Sequence, residues 1–317
     1  MNTLALRLLD RFDKHVSSVI LLTCIGNNQD RVLGPSNPAG FTGLHGCAYL
    51  GIAEIAVCLL NMKEWDLGAT DVAGNTPILW AAKRGYDAIV KTFFERVGVT
   101  PNTMDQTGQT PLSWAAANGY QDIVQIILEH GDVTPDIADG GGRTPLLWAA
   151  RNGYGGIVEM LLERLDVTPN TTDQVGRTPL SWAAENGYQD VVKIILEHGD
   201  VTPDTADKDG RTPLLLAARN GHGGIVVMLL EREDVTPNIA SHGGRTPLSW
   251  AAGNWDWGIV KVLSEEGDVT PDIRDKNGRT PLSWAAGNGN ERAVQTLLRR
   301  RDVALNGADK HERTPLS

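Results

Sequence analysis

"GRTPLSWAAENGYQD", residues 176–190, has close copies at 108–122, "GQTPLSWAAANGYQD", and at 142–156, "GRTPLLWAARNGYGG". The Thr-Pro pair within it recurs at Thr76, Thr110, Thr144, Thr178, Thr212, Thr246, Thr280 and Thr314, each 34 residues after the last. One step earlier stands Thr42 in "FTGLHGCAYLG", with Gly43 in place of proline. A fixed period of this length means that each unit is one supersecondary element, unable to bury its apolar face alone and stacked on its neighbours. The period predicts eight units over residues 42–313, starting at 42, 76, 110, 144, 178, 212, 246 and 280. Residues 314–317 open a ninth.

The unit has a local physical reading. Thr178 suits a helix N-cap, because its hydroxyl can accept from a free amide of the first turn. Pro179 follows where its missing N–H costs nothing. Leu180, Ala183 and Ala184 then share one helical face, and the alanines keep that face thin enough for close approach of the next unit. Gly187 ends the helix at a left-handed position. A second helix is predicted over "YQDVVKIILEHG", with Val191, Val192, Ile194, Ile195 and Leu196 on its buried side. "DVTPDTADKDG" then supplies turn residues leading to the next unit. The predicted fold is all-α: a solenoid of helix–turn–helix–loop units with a concave groove.

The pattern "GRTPLxxAAxxGxxxVVxxLLExGDV" resembles the ankyrin repeat over residues 42–313. The resemblance implies a non-enzymatic module that binds another protein through its concave face and loop tips. The histidine usual after Thr-Pro-Leu in that family survives here only as His45; Ser113, Ser181, Ser249 and Ser283, or Leu79, Leu147 and Leu215, replace it. A second period overlies the first, since units at Thr110 and Thr178 share "SWAAxNGYQD" while those at Thr144 and Thr212 share "AARNGxGGIV". This copying of two-unit blocks, with "TPLSWAA", resembles the C-terminal ankyrin arrays of fungal NACHT-type (NOD-like) NTPase receptors. In residues 1–41, Ala5, Leu8, Leu9, Phe12, Val16 and Val19 fall at helical spacing before Pro35 and Pro38, which predicts an N-terminal helical cap and linker.

Composition narrows the function classes. A net charge of −10 gives no global basic footprint for nucleic acid or anionic membrane. The first residues lack the uninterrupted apolar core of a signal peptide, and no stretch has the length of a membrane span. Cys24, Cys47 and Cys58 give neither a disulfide framework nor metal-ligand spacing, so a cytosolic or nuclear location is expected. "DGGGR" at 139–143 and "SHGGR" at 241–245 lack the lysine of a phosphate loop. No His sits near the serines of the repeated helix, and no metal or cofactor is expected. A monomer is expected.

Binding residues are then sought in the groove. Trp80, Trp114, Trp148, Trp182, Trp250 and Trp284 share one position of the first helix, with Gly46 and Leu216 in the other two units. Each indole either covers the neighbouring first helix or lines the groove as an aromatic anchor, and one residue can do both. The residues after Ala-Ala vary: Lys83-Arg84, Ala117-Asn118, Arg151-Asn152, Glu185-Asn186, Arg219-Asn220 and then Gly253 and Gly287, each before Asn. Lys83, Arg84, Asn118, Arg151, Glu185 and Arg219 join the six tryptophans as the expected partner-binding set. "AAGNWDWGIV" breaks the pattern, placing Trp255 where a helix-ending glycine belongs and Trp257 just beyond, so the two form a possible second patch. Arg143, Arg177, Arg211, Arg245, Arg279 and Arg313 precede successive Thr-Pro pairs, with Asp71, Asp105, Asp139, Asp173, Asp207, Asp275 and Asp309 four residues earlier in the same turns. Turn bonding and mutual pairing are expected of these two rows, with phosphate reading by the arginines as the alternative. A separate alternative for the whole chain is a small-molecule-binding or enzymatic solenoid, which needs a closed pocket of about 300–1,000 Å³ in the indole-lined groove.

Overall fold

The computed structural model describes residues 41–62, 65–96 and 98–315. The helical cap read over 1–41 lies outside the described residues, Phe41 apart, as do the last two residues of the chain. Two compact units divide the chain, residues 1–148 and 149–317. Among the described residues there are sixteen helices and no strand.

The first unit contains α1 (Gly43–Leu50), α2 (Ala53–Met62), α3 (Pro77–Arg84), α4 (Asp87–Phe94), α5 (Pro111–Asn118), α6 (Gln121–Leu128) and the opening turn of α7 (Pro145–Asn152). Within it α1, α3 and α5 pack in sequence as a row of first helices, while α2, α4 and α6 form the row of second helices. In the second unit the first helices are α9 (Pro179–Asn186), α11 (Pro213–Asn220), α13 (Pro247–Gly253) and α15 (Pro281–Gly287). Its second helices are α8 (Gly155–Leu162), α10 (Gln189–Glu197), α12 (Gly223–Leu230), α14 (Trp257–Glu265) and α16 (Glu291–Leu298). Each again packs on the next in its row.

The local signals act as their chemistry dictates. Thr76, Thr110, Thr178, Thr212, Thr246 and Thr280 are extended N-caps whose hydroxyls accept the amide three residues on, with proline following. Leu180, Ala183 and Ala184 are no more than 1% exposed, so the thin face is the buried one. On α10, Val191, Val192 and Ile195 are buried, whereas Ile194 and Leu196 are only half-buried. At 100° per residue those two flank the stripe rather than sit on it, which corrects the expectation of five buried side chains.

Hydrogen bonds of several kinds join consecutive repeats, among them side-chain bonds such as Asn186 Nδ2 to Arg151 O at 2.9 Å. Turn tips are linked by backbone bonds such as Gly140 N–H to Thr107 O at 2.8 Å, Lys208 to Val175 at 2.9 Å and Lys276 to Gly243 at 2.9 Å. His45 also bridges repeats, its Nε2 lying 3.0 Å from Asn75 O while Nδ1 accepts from Thr42 N–H. Where serine replaces it, Ser113, Ser181, Ser249 and Ser283 place Oγ 3.0–3.1 Å from the capping threonine hydroxyl of their own repeat. A long side chain that spanned repeats is thus exchanged for a local bond, and the turn-tip ladder remains.

Candidate functional site

The tryptophan row is built from the turns upward. Where the turn carries the aspartate, one of its oxygens caps the backbone: Asp173 Oδ1 accepts the amides of Val175 and Arg177, both at 3.0 Å. Its other oxygen accepts the indole N–H of Trp182 at 3.0 Å. The same arrangement holds Trp80 to Asp71, Trp114 to Asp105, Trp148 to Asp139 and Trp284 to Asp275, at 2.8–3.1 Å. The aspartates are nearly buried and the indoles half-buried, so each bond tethers a ring whose face remains available. Against the cost of burial, hydrogen bonds from Lys83, Thr107 and Trp114 hold the Asp105 carboxyl down at about 2.

Cations stack on those rings. In the first unit Lys83 Nζ lies 4.5 Å from the centre of the Trp114 ring and 5.7 Å from that of Trp80, and it pairs with Asp105 at 2.8 Å. Arg84 stacks on Tyr49 at 4.4 Å, Tyr49 meets Trp80 edge-on, and Arg143 covers Trp148 at 4.7 Å. In the second unit Trp182 lies between Arg151 and Arg177, both at 4.4 Å. Arg177 also pairs with Glu185 and reaches Asp207 of the following repeat at 3.5 Å. Trp250 lies between Arg219 at 4.9 Å and Arg245 at 3.6 Å, and Arg245 continues onto Trp284 at 4.0 Å, which Arg279 covers at 4.7 Å. Such contacts are each worth about 0.5–1 kcal/mol at exposed sites and more when desolvated.

The structure therefore brings together Lys83, Trp80 and Trp114, then Arg151, Trp182 and Glu185, then Arg219, Trp250 and Trp284. Asn118 points its amide at its own helix, donating to Trp114 O at 2.9 Å. Trp255 and Trp257 stand apart from the stacks, 60% and 44% exposed, with Arg292 5.4 Å from the Trp257 ring centre. Trp255 does take the left-handed conformation, at φ +66°. The aspartate and arginine rows join the site as indole acceptors and stacking partners rather than as mere turn bonds. The signal was present in the constant nine-residue spacing from each aspartate to its tryptophan.

That pairing fails twice, in opposite ways. Leu216 replaces tryptophan opposite Asp207, and Arg211 takes over the carboxylate, with Nε at 2.8 Å from Oδ2. Ser241 replaces aspartate opposite Trp250, and Trp250 Nε1 is buried with no hydrogen-bond partner.

No group of three or more His, Cys, Asp or Glu side chains able to hold a metal occurs among the described residues. No helix among them is long and apolar enough to cross a membrane. These features define a protein of stacked helix pairs whose first helices carry a tethered, cation-covered aromatic row. The profile of ankyrin repeats matches three times, over residues 89–173, 156–241 and 233–314. The chain belongs to the ankyrin-repeat family, whose members generally mediate protein–protein interaction. Among curated protein sequences none matches. Of solved structures, the ankyrin repeat domain of Bcl-3, described as a unique member of the IκB protein family, is similar in fold. The TM-score is 0.57 at 24% identity, covering 65% of this chain and 92% of that one.

Proposed function

We propose that the row of first helices is the protein-binding face of this chain, acting through its stacked cations and indoles. The observation that supports this reading is a constant frame carrying a changing tip. The aspartate-tethered indole recurs five times, while the residue three positions after it on the same helix changes from Lys83 to Ala117, Arg151, Glu185 and Gly287. Residues i and i+3 are neighbours on a helix, so each indole presents a different chemical group beside a fixed platform. Recognition needs that combination of rigid aromatic anchors and varied polar groups. Asn118, Trp255 and Trp257 extend the proposed surface at its edges.

In the proposed setting the chain works in the cytosol or nucleus as a monomer. It serves as the recognition region of a fungal NOD-like NTPase receptor or as a stand-alone relative. The two-unit copying with "TPLSWAA" supports that setting, and a NACHT domain encoded upstream in the same gene would favour the receptor form. The small-molecule alternative needs an enclosed, indole-lined cavity. A depression of about 560 Å³ bounded by Gly85, Asp87 and residues 119–123 carries no indole.

Affinity capture from native extract tests the reading, comparing the wild-type chain with the triple variant Arg84→Glu, Arg151→Glu, Arg219→Glu. The three guanidinium stacks on Tyr49, Trp182 and Trp250 are lost, at roughly 0.5–1 kcal/mol each, so a thermal melt must show the variant folded at the capture temperature. A protein captured by the wild type and lost by the folded variant is the expected result. Equal capture by both would place the binding surface elsewhere.

A further inference from the structure

The break in the aspartate row at Ser241 leaves more than an orphaned indole. Arg245 lies between the Trp250 and Trp284 rings, and its guanidinium donates to Ser249 O at 3.0 Å. Its Nε, like Trp250 Nε1, is buried without a hydrogen-bond partner. Arg143 Nε and Arg177 Nε also lack a hydrogen bond, although Arg177 Nε lies 3.5 Å from Asp207, so the indole is what distinguishes this repeat. Among the described residues neither Arg219 nor Arg245 makes an ion pair, whereas Arg177, Arg211, Arg279 and Arg313 each reach a row aspartate. Gly253 holds the variable position, and a Cβ there would meet Arg245 Nη2 at 2.7 Å. Glycine thus makes room for the guanidinium, where the helix of Trp182 carries the long side chain of Glu185 at the same position.

We propose that the donor cluster of Trp250, Arg245 and Arg219 beside Ser241 binds a carboxylate, the side chain of an aspartate or glutamate on the bound protein. This rests on the protein-binding reading of the same face. The sister repeats supply the template, since five times a carboxylate oxygen accepts this indole N–H at 2.8–3.1 Å. Here the carboxylate is missing and its donors remain. An incoming carboxylate satisfies the indole N–H and pairs with two guanidinium groups that make no ion pair, and such charge-assisted bonds are the strong ones. The electrostatics agree. Burial pushes Arg245 down to about 10, Asp275 opposes this, and Arg219 and Arg279 add to it, so an anion arriving there relieves both the desolvation and the mutual repulsion.

The test uses the full chain, ¹⁵N-labelled, and follows the indole N–H resonances during titration with acetate, with acetamide as the neutral control. Trp250→Phe identifies the resonance by its loss. In the wild type that resonance shifts saturably with acetate and not with acetamide. Ser241→Asp installs the missing acceptor, and acetate binding there is expected to weaken by about tenfold to a hundredfold, the effect of a hydrogen bond to a charged group. If that variant does not fold, Ser241→Asn fills the same position with a neutral acceptor and should also block acetate. No acetate-dependent shift of the Trp250 resonance, or equal affinity in the folded variant, overturns the site. Partner capture by the folded Ser241→Asp chain decides the occupant: loss supports an acidic side chain of the partner, and undiminished capture overturns it. Failure of the wild type to capture any protein counts against the protein-binding reading alone, and the acetate arm still decides the site.

Discussion

Asp173→Ala destabilises the chain by about 3 kcal/mol, because three donors lose one acceptor group at once. The Val175 and Arg177 amides and the Trp182 indole all bond this carboxylate at 3.0 Å, and it is only 7% exposed. Water reaches the turn only in part, so the orphaned groups are not fully compensated. Trp182→Phe removes a single donor and keeps the ring on which Arg151 and Arg177 stack, so it costs less, about 1–2 kcal/mol. Chemical denaturation of the two variants beside the wild type checks the order. Equal losses would mean that the carboxylate serves the indole alone and the turn holds itself.

Gly187→Ala is expected to cost about 2–3 kcal/mol, from two additive causes. Gly187 ends α9 at φ +83°, where an L side chain is strained. A Cβ there would also lie 2.6 Å from Cε1 of His222 in the next repeat, a ring held by its bond to Glu185 O at 3.0 Å. The mirror experiment already stands in the sequence. Trp255 occupies the equivalent position at φ +66°, with its ring exposed, so Trp255→Gly is expected to gain about 1 kcal/mol. Thermal melts of both variants test the pair. A destabilised Trp255→Gly would show that the indole makes packing contacts worth more than the strain.

Most of the architecture was legible because its causes are local. A threonine cap, a proline at the first helical position, a leucine and two alanines on one face and a closing glycine each act within a few residues. A 34-residue period then multiplies every weak signal by its recurrence. Trp255 at a left-handed position was legible for the same reason, since its seven counterparts in the other repeats are all glycine. The second-helix stripe was read one residue too wide on each flank, because a β-branched or leucine side chain beside the stripe looks the same in sequence as one upon it.

The chemistry of the tryptophan row was less legible. Its tether depends on a turn folding back so that an aspartate nine residues upstream meets the indole, a contact that no helical periodicity encodes. The stacks are harder still, since Arg151 and Arg219 lie on Trp182 and Trp250 of the following repeat. What the sequence did carry was the covariation: tryptophan and aspartate recur together, and where one is lost, at Leu216 or Ser241, the other is left to find a new partner.

The central claim is that a partner protein docks on the cation-covered indoles of the first helices. Hydroxyl-radical footprinting of the complex with the captured partner tests it most directly. Trp182, Trp250 and Trp284 are expected to lose reactivity on binding, while exposed side chains of the second helices, such as Val227 and Leu298, are not. Protection confined to the second helices, with the three indoles unchanged, would contradict it.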